Sequence, residues 1–159
     1  MRHAPGIMKD FQFMDTGEGG GSRPVQPEDL LALHHRDAAA ILDALDKPFD
    51  GPTVVMTHHV PDPRLLDRHR YPEGPDDGAF AATLWSRIRE HAVDAWVFGH
   101  SHHGVEAVLR GERGWTTFVT NPRGLPGERT TFDPARVLDS RDPRIACDRD
   151  TPEAACDSP

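Results

Sequence analysis

Two short apolar segments, each followed at once by histidines, constrain the fold of this chain most. Residues 52–57 (PTVVMT) and 95–98 (AWVF) are too short for buried helices and are rich in the β-branched and aromatic residues typical of buried strands. His58 and His59 follow the first segment, and residues 99–103 (GHSHH) follow the second. In an α/β sheet this pattern delivers side chains to the carboxyl ends of strands, where ligands bind.

Helical patterns lie before and between these two strands. Pro27 begins a helix that carries apolar residues at helical spacing as far as Leu45, and a second helix is predicted at about Ala79–His91. A strand–helix–strand unit of this kind makes the two strands parallel, and we expect them to be neighbours. Both histidine clusters then lie at the same edge of the sheet.

The remaining pattern completes an α/β (α+β) domain at residues 27–139. Val105–Arg110 and Trp115–Thr120 predict a hairpin across a Gly-Glu-Arg-Gly turn, and residues 130–132 and 136–138 predict short strands. Residues 62–78 are a long loop. Residues 1–26, rich in glycine, predict a poorly structured lead-in, and residues 140–159, which hold almost no large apolar side chain, predict a disordered tail.

Composition restricts the class of partner. The formal net charge of −8 and the pI near 5.6 argue against a nucleic-acid or membrane-surface binder. No apolar stretch approaches the roughly 20 residues of a membrane span, and the N-terminus lacks the apolar core of a signal peptide. Cys147 and Cys156, both in the polar tail, make neither a disulfide framework nor a zinc knuckle. We therefore expect a cytoplasmic protein.

The histidine spacing indicates metal binding. On an extended backbone, His100 and His102 leave the same face with Cα atoms roughly 6–7 Å apart. That separation suits two metal ions about 3.5–4 Å apart, each taking one imidazole, better than capture of one ion by both.

Three sequence blocks resemble the C-terminal half of the calcineurin-like metallophosphoesterases. They are Thr-His-His at 57–59, Gly-His-Ser-His at 99–102 and Asn-Pro-Arg-Gly at 121–124, and the resemblance covers about residues 5–139. It implies half of a four-layer α/β/β/α sandwich, with a mixed sheet and two main helices. It also implies a centre of two divalent ions (Mn, Fe or Zn) and hydrolysis of a small phosphoester substrate, in which an activated water attacks phosphorus.

Carried over residue by residue, the resemblance makes His58 and His100 ligands of one metal ion and His102 a ligand of the other. His59 is the alternative to His58, and it is otherwise expected just outside the ligand shell. Asn121 and Arg123 are candidates for substrate contact, although Asn-Pro and Arg-Gly are equally typical of a tight turn.

This chain departs from the family pattern in its carboxylates. The family's Asp-x-His, Gly-Asp-x-x-Asp and Gly-Asn-His-Asp/Glu blocks supply acidic ligands and the general acid, and residues 1–51 contain no Gly-Asp and no asparagine. No catalytic residue is therefore identified. The hypothesis is a C-terminal part of a metallophosphoesterase, as a truncated reading frame or as one subunit of a split enzyme.

Such a half has consequences for association, and two alternatives stay open. Without the first sheet, one apolar sheet face needs a homo-oligomer or the missing half to cover it. One alternative is a non-catalytic interaction protein that holds a single structural zinc through three histidines and a carboxylate such as Asp62. The other is a remnant that does not fold.

Overall fold

A four-stranded mixed sheet forms the frame of the α+β fold. The computed structural model describes residues 10–17, 22–74 and 77–139. In chain order its elements are α1 (Asp10–Phe13), α2 (Pro27–Leu45), β1 (Val54–Met56), a 3₁₀ helix (Pro63–Leu65), α3 (Asp77–Phe80), α4 (Trp85–Ile88), β2 (Ala95–Phe98), β3 (Val105–Gly111) and β4 (Gly114–Thr120).

The strand order is β1-β2-β4-β3, which places the two histidine-bearing strands side by side. β1 pairs with β2 in parallel, with Met56 opposite Val97, and β2 pairs in parallel with β4. β3 and β4 form the predicted antiparallel hairpin. The predicted parallel pairing of β1 and β2 is thus confirmed.

The core lies on one face of this sheet. Val55, Trp96 and Phe118 stand in one row across β1, β2 and β4, and all three are buried. The rings of Trp96 and Phe118 stack with centroids 5.8 Å apart, and Trp85 of α4 meets Phe118 edge-on at 5.1 Å. Aromatic burial therefore fixes α4 against the middle of the sheet.

Helix α2 begins and ends where the sequence predicts. Pro27 occupies its first turn, and the Asp29 carboxylate accepts a hydrogen bond of 2.8 Å from the backbone N–H of Gln26. Ala38 is its buried residue, and Ile41 packs with it against the main core. Its other apolar residues stay partly exposed, so α2 lies over the sheet with little buried surface.

The prediction of a second long helix at about Ala79–His91 is wrong. Residues 81 and 82 leave the helix because Val60 forms a parallel bridge with Ala81 and its carbonyl accepts the N–H of Ala82. The Pro61 carbonyl then accepts the N–H groups of residues 84 and 85 and starts α4. Pairing with the chain that leaves β1 thus overrides the helical pattern, and one long helix replaces the two expected.

The prediction of short strands at residues 130–132 and 136–138 is also wrong. Within the described part of the chain, these residues belong to no strand. Local partners take backbone groups of these residues: Thr130 Oγ1 accepts the N–H of Phe132, and the Asp133 carbonyl accepts the N–H of Arg136. A turn therefore forms at residues 133–136.

Part of the predicted lead-in carries structure. Residues 10–17 and 22–26 contain α1 and a bridge between Asp15 and Pro24. Phe11 and Val25 are buried in a small cluster with Ala79 of α3. The predicted tail at residues 140–159, with both cysteines, lies outside the described residues.

The opposite face of the sheet is open at its margins. Val54, Met56 and Val108 stand on that face and are 50%, 75% and 39% exposed. β1 is an edge strand, so this open margin includes one edge of the sheet. Among the described residues, no helix is long and apolar enough to cross a lipid bilayer.

Candidate functional site

The carboxyl ends of β1 and β2 bring His58 and His100 together. The parallel pairing continues past the strands, because the Gly99 N–H donates a 3.0 Å hydrogen bond to the His58 carbonyl. His58 Nε2 then lies 3.3 Å from His100 Nδ1. The two side chains are 42 positions apart in the sequence, so the sheet alone accounts for their contact.

His59 joins this pair. Its ring centroid lies 4.4 Å from that of His100 and 5.5 Å from that of His58, while His58 and His100 are 5.0 Å apart. His59 is half-buried and His58 is exposed. We call these three side chains the histidine cluster.

The ring of His100 is held in one orientation. Its Nε2 lies 3.2 Å from the Ala79 carbonyl oxygen, which only accepts, so Nε2 carries the hydrogen. The neutral ring then has its lone pair on Nδ1, the atom that faces His58. A backbone carbonyl that accepts from one ring nitrogen is the usual arrangement behind a metal-ligating histidine.

The backbone after β2 is not extended, contrary to the geometry assumed for His100 and His102. Both residues have positive φ angles, 69° and 47°, and the Ser101 N–H donates to the Gly99 carbonyl. Non-glycine residues in the left-handed region are uncommon, and such strain clusters at binding and active sites. This turn replaces the extended geometry assumed for the two histidines.

His102 pairs with Glu128. Its Nδ1 lies 2.8 Å from Glu128 Oε2, which also accepts the N–H of Leu125 at 2.9 Å. The Leu125 amide, followed by His102, holds the pKa of Glu128 below its usual value. Because the charged carboxylate accepts the Nδ1–H, the lone pair of a neutral His102 ring lies on Nε2.

The loop at residues 67–71 contacts the turn at residues 99–103. The Tyr71 hydroxyl donates a 2.6 Å hydrogen bond to the Ser101 carbonyl, and burial raises the pKa of that hydroxyl. Asp67 lies 3.6 Å from His103, and Arg70 lies 3.6 Å from Glu128. Residues 67–71 of the long loop therefore lie against the site.

The structure also shows the surroundings of Asn121, Arg123 and Asp62, which were considered from the sequence. The Asn121 amide donates to and accepts from the backbone of Asp133, which agrees with the turn interpretation. Arg123 is exposed. The Asp62 carboxylate is buried, caps the 3₁₀ helix and forms two hydrogen bonds with the Arg64 guanidinium, so it is not a metal ligand as it stands.

The donor set fits a divalent ion in part. Two nitrogens bound at about 2.0–2.1 Å to one tetrahedral zinc lie about 3.3 Å apart, which matches the separation of His58 Nε2 and His100 Nδ1. Across residues 10–17, 22–74 and 77–139, however, no group of three or more His, Cys, Asp or Glu side chains is placed to hold a metal ion. The structure brings together His58 and His100, the expected ligands of one ion, while His102, the expected ligand of the other, contacts Glu128.

Sequence reasoning missed Glu128 and Tyr71. Glu128 follows the Asn-Pro-Arg-Gly block closely, and that position was the available signal for it. Tyr71, the only tyrosine of the chain, lies in a loop with no periodic pattern, and nothing in the sequence links it to Ser101.

Comparisons with known proteins add one distant relative. The chain is 28% identical over 94 residues to an uncharacterized protein of Acanthamoeba polyphaga mimivirus, and the match covers 55% of this chain and 32% of that protein. The chain thus spans about a third of the relative it matches. No protein-family model matches the chain, and no solved structure matches it.

Proposed function

We propose that this chain supplies the histidine half of a divalent-metal centre that hydrolyses phosphate esters. The carboxylate ligands and the general acid then come from another polypeptide segment. The observation that carries the proposal is the 3.3 Å separation of His58 Nε2 and His100 Nδ1 at the ends of two adjacent parallel strands. The sequence resemblance to calcineurin-like metallophosphoesterases supplies the reaction class.

The finer architecture belongs to this proposal. A sheet with its core on one face and exposed Val54, Met56 and Val108 at the margins of the other supports half of an α/β/β/α sandwich. A second sheet, from the other half or from another copy of the chain, would bury these side chains.

The chain's own residues orient the imidazoles. The Ala79 carbonyl fixes His100, and Glu128 fixes His102, so each ring directs its lone pair without further adjustment. Divalent ions in such centres polarise phosphoryl oxygens and lower the pKa of water. Because the described residues do not complete a metal-binding group, no hydrolytic step is assigned to this chain by itself.

The first test is metal binding by the purified chain. Zn²⁺ and Mn²⁺ titrations followed by calorimetry are compared for wild type, His58→Ala, His100→Ala and the control His35→Ala, which changes an exposed histidine of α2. We expect binding that either site substitution weakens at least about tenfold, the scale of losing one element of a metal site, and that the control leaves unchanged.

Hydrolysis of bis-p-nitrophenyl phosphate with Mn²⁺ is measured on the same samples. Metal binding without turnover supports a half-site. Turnover that His100→Ala abolishes means that acidic ligands exist within the chain and refutes the need for a second segment. Equal metal affinity in all four proteins refutes the proposal itself.

A further inference from the structure

An apolar groove runs from the histidine cluster along the inner side of α2. It encloses about 600 Å³, within the range of about 300–1,000 Å³ of small-molecule sites. Its walls are α2, the end of β1 and residues 78–84, with mainly aliphatic side chains, among them Leu30, Leu33, Ala38, Ile41, Met56 and Ala82. We call this feature the apolar groove.

The groove and the candidate site are continuous. His58 and His59 line one end of the groove, and so does Ala79, whose carbonyl holds His100. A molecule whose phosphoryl group lies at the histidine cluster therefore has its substituent directed into the groove.

The groove offers no cation to a second anionic group. Among its lining residues in the described part of the chain, none is lysine or arginine. The charged residue there is Asp37, whose Oδ1 already accepts two hydrogen bonds from Arg36. Burial, followed by the charges of His35 and Arg87, lowers the pKa of His34 and so favours the neutral form of this lining residue.

We infer that the apolar groove receives an uncharged aryl or alkyl arm of the phosphoester. This inference rests on the proposed function and specifies its substrate class: esters of hydrophobic alcohols, with one phosphoryl group, and not nucleoside polyphosphates or sugar phosphates. An aliphatic groove gains affinity from each apolar carbon it takes from water, whereas a second phosphate would lie there unpaired.

The test is equilibrium binding of two esters of equal charge, diphenyl phosphate and diethyl phosphate, followed by amide NMR shifts. Burial of the rings predicts that the diphenyl ester binds about tenfold tighter or more. Leu31→Glu places a carboxylate at the mouth of the groove on a residue that is 45% exposed, so the fold tolerates the change. We expect it to remove the preference, with Leu33→Glu, at 40% exposure, as the second variant.

The control is Val137→Glu, an 82% exposed residue that does not line the groove, and it should keep the preference. Equal affinities of the two esters for wild type overturn the inference. Equal affinities together with dissociation of a dimer by Leu31→Glu also overturn it and identify the groove as an interface between copies. Zn²⁺ titration of the same samples tests the proposed function independently of the ester preference. A preference for the diphenyl ester without metal binding would refute the metal centre and leave the inference about the groove standing.

Discussion

Thr116 provides a quantitative test of the packing around β4. It is 2% exposed, and its Oγ1 donates a 2.6 Å hydrogen bond to the Val93 carbonyl, just before β2. Valine keeps the shape but removes the donor, which costs about 1–3 kcal/mol when the partner stays buried. The added methyl group returns about 0.8 kcal/mol. We expect Thr116→Val to lower the free energy of unfolding by about 0.2–2 kcal/mol, or the melting temperature by up to about 8 °C.

The matched control is Thr120→Val in the same strand. Thr120 is 4% exposed, and within the described part of the chain its Oγ1 has no hydrogen-bond partner. Removal of an unpaired buried hydroxyl should leave stability within about 0.5 kcal/mol of wild type or raise it. Urea unfolding followed by tryptophan fluorescence measures both variants, because Trp85 and Trp96 are buried. Equal losses for the two would refute the assignment of the Thr116 hydrogen bond.

Three further predictions concern the site, a helix start and a close contact. Glu128→Gln removes the carboxylate on His102 and should weaken metal binding about 10–100-fold by calorimetry, with little change in the folded fraction. The pKa of Asp29 in the folded state, about 2, lies below its ordinary value of 3.8. The stability that the Asp29 carboxylate contributes is therefore complete above pH 3.8 and is lost as the pH falls towards 2. Asp29→Asn should remove this part of the acid dependence in circular-dichroism melts. Gly111→Ala places a methyl group 2.8 Å from a backbone carbonyl after α4 and should lower stability by about 1–3 kcal/mol in thermal melts, whereas the control Gly74→Ala, with 3.9 Å of clearance, should not.

Sequence pattern predicted the elements whose signals lie within the element itself. Helix α2, the hairpin and the strands at 54–56 and 95–98 all follow from turn residues, β-branched runs and helical spacing. It failed at 79–91 because the deciding hydrogen bonds come from Val60 and Pro61, some 20 residues away. The helical pattern there records which side chains are buried, because Trp85 and Ile88 are buried although the long helix is absent from residues 79–91.

The site was predictable in position but not in orientation. Histidines after two parallel strands had to meet, and His58 and His100 do. The course of the chain after Gly99 could not be predicted. Two positions of this turn have positive φ angles, for which glycine is the usual signal, and both carry histidine. His102 therefore turns to Glu128, a partner that no spacing rule connects with it.

The first residues described link the N-terminal segment to this site, and Phe11 tests that link. Phe11, 7% exposed, packs with Val25 on Ala79, the residue whose carbonyl orients His100. Phe11→Ala frees Ala79 to move and should therefore weaken Zn²⁺ binding. The loss should be less than about tenfold, because Phe11 contacts the partner of the ligand His100 and not the ligand itself. Phe13→Ala in the same helix removes a side chain that is 80% exposed and should leave zinc affinity unchanged. If both variants bind zinc as wild type does, the orientation of His100 does not depend on this cluster, and the N-terminal segment only covers α3.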